Sequence, residues 1–146
     1  MNESLRKDLL DRVAEGHRAF AEVERLMADD RNFAEEVASR SANGLPLVLL
    51  HWPDAPEVFR RMIAVDAENS RWLVDVVATV GWPDVSLVGA EGEAAAWELA
   101  MHADTEQEAR NGWVQVIQDA ADCGDVPPEH AQYLRMRVDA VARLLA

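Results

Sequence analysis

The chain has one cysteine, one lysine and one tyrosine, and the scarcity of the first two closes off a class of protein each. With Cys123 alone, no disulfide can form within the chain, and zinc sites built from four thiolates or from Cys and His pairs are excluded. Lys7 is the single lysine, and the arginines are mostly separated by acids, so there is no basic cluster. The formal charge of -13, from 27 acidic and 14 basic residues, repels a phosphate backbone or an anionic leaflet. Nucleic acid and membrane are therefore not expected partners. No apolar run approaches the ~20 residues of a helical membrane span. Glu3, Arg6, Lys7 and Asp8 interrupt the first ten positions, which do not read as a signal peptide. A cytoplasmic location is the simplest expectation. Also missing are a Gly-rich phosphate loop, a nucleophile elbow, a Ser–His–Asp pattern, internal repeats and any convincing period-two alternation.

What is present is helical periodicity. A chain of 146 residues, 49% apolar, fits one domain that buries roughly 70% of its unfolded surface. Leu5, Leu9, Val13, Phe20, Val23 and Met27 recur at spacings of three and four, predicting a helix over 3–28 that Asn2 or Ser4 caps. His17 falls on this stripe as a core-edge histidine, beside Gly16. Asp29 or Asp30 caps a short second helix ending near Ser41. The run LPLVLLHWPDAP, with Pro46, Pro53 and Pro56, reads as a buried connector or a single helical turn. A third helix runs from Pro56 to about Val80, stopped by Gly81 and Pro83. A fourth, rich in alanine, covers roughly Gly89 to Ala103. Thr105-x-x-Glu108 has the form of a capping box for a fifth, Gly124 ends it, and Pro127-Pro128 opens a sixth. The expected fold is all-α, a single-domain bundle of five or six helices with short loops.

The densest chemistry lies in Gly81–Asp104. Glu98 and His102 are four residues apart on a predicted helix and so share a face. A carboxylate so placed accepts a proton from the imidazole and fixes its tautomer, the usual way a general base is oriented. Asp104, at the helix end, is the other candidate orienter. None of His17, His51, His102 and His130 pairs with another at ligand spacing, and Glu98–His102 is one residue longer than the Glu-x-x-His motif of bundle metal sites. No metal or cofactor is expected. Five tryptophans stand against one tyrosine and three phenylalanines. Trp72, Trp97 and Trp113 fall on helical stripes as core, while Trp82, held between Gly81 and Pro83, is the candidate pocket wall.

Asp66-x-x-Asn69, Gly81-Trp82-Pro83, Val88-Gly89, Ala96-Trp97 and His102-Ala103-Asp104 together resemble a bacterial family known only as a domain of unknown function. That family has a GWP turn, a VG, a helix ending in Gln-His-Ala-Asp, a later Tyr-Leu-x-Asp-Arg-Val and a closing Tyr-Gly-Thr-Gln. Here Met101 stands in place of the glutamine, Met136 in place of the aspartate, and the closing motif is absent. The resemblance implies a fold and a site location, and no reaction.

The expectation is a small-molecule-binding protein, an acid–base enzyme of isomerase, cyclase or lyase type acting on a small apolar or aromatic metabolite. His102 is the acid or base and Glu98 or Asp104 its orienter. Trp82 and Trp97 form the pocket wall with Asn69 and Tyr133 as further contacts, and Arg137 holds an anionic group. The alternative is a noncatalytic acidic module, immunity- or antitoxin-like, that binds a basic protein and has no opening at His102. A second copy of the chain is the other partner left open.

Overall fold

The helical stripes become six α-helices joined by short loops, with no strand, in the computed structural model, which describes residues 1–146. Asn2 opens α1 (Glu3–Asp29) by accepting from the Leu5 amide at 3.0 Å. Asp30 serves two helices: its own N–H closes α1 on the Leu26 carbonyl, and its carboxylate accepts from the Phe33 amide to start α2 (Arg31–Arg40). The proline-bracketed connector contains one 3₁₀ turn, Leu47–Leu49. Next comes α3 (Glu57–Val80), which ends at Gly81 with φ +83°, a backbone state that side chains with a Cβ rarely adopt.

The alanine-rich segment is α4 (Val85–Met101). It starts one turn earlier than its sequence suggests because Asp84 caps the Leu87 amide. Gly89, at φ +76° and ψ 172°, breaks it after that first turn. The final pair is α5 (Gln107–Asp122) and α6 (Pro128–Leu145). The expected capping box at Thr105 does not form. Glu106 takes the N-cap position with no side-chain cap, because its own N–H is tied to the Ala103 carbonyl at 3.1 Å and the turn out of α4 runs one residue longer. Cys123 is exposed at the end of α5.

Helix α1 packs along both α3 and α4, α2 folds back on α1, and α5 and α6 form a hairpin that meets the rest through α4. Two apolar clusters result. One joins Leu9 and Leu73 to Val88, Leu99, Trp113, Ile117 and Leu134. The other gathers Val23, Phe33, Val37, Phe59 and Met62 under Trp52, whose ring lies 5.8 Å from Phe33 and 5.1 Å from Phe59. A fully buried side chain of this size contributes about 1.5–3 kcal/mol, so each cluster is a genuine core. The two share the lengths of α1 and α3 and leave the middle of both helices between them. There Phe20 falls on the apolar stripe of α1 yet remains 42% exposed. No helix is long and apolar enough to cross a membrane.

Candidate functional site

The gap between the two cores is a part-open cavity of about 360 Å³. That lies at the small end of the ~300–1,000 Å³ typical of ligand sites. Its apolar wall comes from Val13 and Phe20 of α1, Met62 of α3, Leu99 of α4, and Leu47 and Val48 of the connector. Gly16 faces it from the interior of α1. An added Cβ there would meet nothing nearer than Asn69 Nδ2 at 4.0 Å. The 3₁₀ turn matters because it brings Leu47 and Val48 of the connector to the cavity.

The polar groups are His17, Asp66, Asn69, Glu98, His102, Asp104 and Arg137. Both halves of the buried Asn69 amide are engaged by Arg12: Oδ1 accepts from its guanidinium at 3.1 Å and Nδ2 donates to its carbonyl at 3.2 Å. Asn69 therefore cross-links α1 to α3 as well as lining the cavity, which is how α3 meets the cost of a polar residue on its buried face. Arg12 in turn stacks over Trp72, 4.4 Å from the ring centre.

Glu98 does not orient His102. Its carboxylate bonds His17 Nε2, bridging α4 to α1. His102 lies one residue past the end of α4, with φ −96° and ψ 6°, so the four-residue helical spacing fails at its last step. Asp66, from α3, lines the same cavity as His102. Burial holds the Asp66 carboxyl above the usual carboxylate range; nearby His102 pulls it back and Asp104 pushes it up. The Asp66 side chain makes no hydrogen bond within the protein, and neither does the His102 ring.

Asp104 is enclosed, 2% exposed, and both its oxygens are taken: Oδ1 by Arg110 Nη1 at 2.7 Å and Oδ2 by Arg137 Nη2 at 2.6 Å. Arg110 is equally enclosed and also donates to the Met101 carbonyl at 3.3 Å, so it caps the C-terminus of α4 while holding Asp104. Asp104 is thus a positioning residue for Arg137 and is not free to orient His102.

The aromatic candidates lie elsewhere. Trp82 is buried against Trp113, ring centres 6.2 Å apart, because the Gly81 turn folds it inward under α5. Trp97 stacks on His130 at 4.3 Å and donates to the His130 carbonyl at 3.1 Å, which directs it toward α6. Tyr133 lies beside Trp97, half exposed. None of the three lines the cavity. Sequence reasoning singled out Glu98, Asn69, His102, Asp104 and Arg137, which the fold brings together, and gave no chemical role to Asp66, His17 or Arg110. For Asp66 a signal existed: an acid three positions from Asn69 lies one helical turn away on the same side of α3.

A second buried acid lies outside the cavity. Glu93 of α4 is fully enclosed and its carboxylate spans His130 Nδ1 at 2.6 and 3.0 Å. Burial raises the Glu93 carboxyl above the usual range, and the bond to His130 opposes it. No group of three or more His, Cys, Asp or Glu side chains is placed to hold a metal ion.

No family model, curated protein or solved structure matches the chain. Asp66, Asn69, His102, Asp104 and Arg137 line this cavity, whereas Trp82, Val88, Gly89, Ala96 and Trp97 do not.

Proposed function

We propose that the protein binds a small, largely apolar molecule in the cavity between its two cores and moves a proton on it, with His102 and Asp66 as the acid–base pair. The observation that carries this reading is the pairing itself. A carboxyl raised above its ordinary range by burial shares a cavity with an imidazole, and the protein spends neither group on its own hydrogen bonds. Two such groups, one from α3 and one from the end of α4, can take a proton from one face of a ligand and return it at another, as an isomerase, cyclase or lyase requires. His102 keeps the role expected of it, while Asp66 replaces Glu98 and Asp104 as its counterpart.

Gly16 supports the binding half of the reading. In the interior of a long helix glycine costs about 1 kcal/mol relative to alanine. An alanine Cβ would fit here, so the missing side chain is explained by the space it leaves in the cavity. The noncatalytic acidic module remains the second reading, favoured by Asp8, Asp11, Glu15 and Glu68, which outnumber Arg12 and Arg18 beside them on α1 and α3. It ranks lower because it expects no opening at His102.

The test is proton exchange. A metabolite mixture is incubated with the protein in D₂O and deuterium incorporation is followed by NMR. The proposal expects a compound that exchanges with the native protein and stops exchanging with Asp66→Asn and with His102→Ala. A compound that exchanges equally with both variants would overturn the assignment.

A further inference from the structure

The charge arithmetic at Asp104 leaves one cation uncancelled. Two guanidiniums, Arg110 and Arg137, share a single carboxylate. Arg110 is sealed at 1% exposure, and its Nη1 is saturated by Asp104 and the carbonyls of Ala100 and Met101. Arg137 is one-third exposed and lines the cavity. Only its Nη2 is bonded within the protein and Nη1 makes no bond; its Nε, like that of Arg110, is buried without an acceptor. The Nη1 edge is therefore left for an acceptor on a ligand, and a carboxylate is the acceptor that matches a guanidinium in charge.

The cavity's own acids leave room for such an anion. Glu98 is hydrogen-bonded to His17, and burial raises the Asp66 carboxyl above its ordinary range. Most of the other charged groups behind the chain's net -13 lie on the surface, where salt screens them beyond about 8–10 Å. Beyond Arg137 the lining is aliphatic and aromatic, through Leu99, Met62, Val13 and Phe20.

We infer that the ligand of this cavity is an apolar monocarboxylic acid, its carboxylate on Arg137 and its hydrocarbon portion between the two cores. The inference rests on the cavity-binding reading and adds the ligand's charge to it. Asp104, held by Arg110 from behind, sets the angle of the Arg137 fork.

The test is a titration of the full ¹⁵N-labelled chain with three probes of matched length: octanoate, octanol and octylamine. Only shifts at amides lining the cavity count as binding. Octanoate is expected to bind at least tenfold more tightly than octanol. Arg137→Gln should bring octanoate down to the octanol level, while Arg137→Lys keeps part of the preference. Octanol or octylamine binding as well as octanoate overturns the inference and leaves the cavity reading standing, as does a preference that survives Arg137→Gln in a folded variant. If no probe shifts the cavity amides, the inference and the cavity reading fail together.

Discussion

Replacing Asp104 with asparagine removes one negative charge and almost no volume, and it separates the structural half of the site from the functional half. Breaking a buried ion pair by removing one partner costs about 3–5 kcal/mol, because the other charge is left without compensation. Arg110 feels this in full, since no water reaches it. Arg137 does not, because a third of its side chain is in solvent that takes over the charge. The asparagine oxygen still accepts from Arg110, and the Met101 carbonyl 3.3 Å away remains a partner, so the loss belongs at the low end, about 3 kcal/mol. For a chain of this size that lowers Tm by roughly 6–12 °C. Urea denaturation followed by far-UV circular dichroism measures it directly, with Arg137→Gln as the control. The control leaves Asp104 bonded to Arg110 and should cost only about 1 kcal/mol. An Asp104→Asn loss below about 1 kcal/mol, or one matched by Arg137→Gln, would refute the assignment of Arg110 as the buried, dependent partner.

Other outcomes follow from single contacts. Gly112 lies inside α5 with open space around it, so Gly112→Ala should stabilise the chain by about 0.5–1 kcal/mol. Gly92→Ala should destabilise it by about 1–3 kcal/mol, because the new Cβ would fall 2.7 Å from Val88 Cβ; equal effects of the two changes in thermal melts would contradict this packing. Burial holds both Asp66 and Glu93 above the ordinary carboxylate range, so each binds its proton more tightly folded than unfolded. Their contribution to stability is therefore complete below that range and is lost as pH rises through the folded values. Glu93→Gln should flatten the fall in unfolding free energy as pH rises above the ordinary glutamate range, and an unchanged slope would show that Glu93 does not titrate there.

The helices were legible because their signals are local. Asn2, Asp30, Gly81 and Pro128 mark helix ends at the positions the structure shows. Thr105 failed as a cap because the exit from α4 depends on where Ala103 and Asp104 are pinned, and that is a tertiary matter. The site was half legible for the same reason. Helical spacing put Glu98 beside His102, but the pairing ignored that His102 falls beyond the last turn and that His17, 81 residues away in sequence, competes for the carboxylate. Asp66 and His102 reach one cavity only through the packing of α3 against α4. Trp82 reads as a loop residue and is core, since a turn at Gly81 can fold an indole inward as readily as outward and no periodicity decides which. Phe20 shows the converse: its place on the stripe says that it is apolar-facing, and not that the space it faces is filled.

The claim that the gap between the two cores is a binding cavity is tested most directly by plugging it. Gly16→Leu places a side chain into the opening from the interior of α1, where helix propensity favours leucine over glycine. The measurement is octanoate binding, read at the cavity amides, in the native protein and in this variant. The structure predicts binding in the native protein and none in Gly16→Leu, with the variant melting at or above the native temperature. Octanoate bound equally by a stably folded Gly16→Leu protein would contradict it.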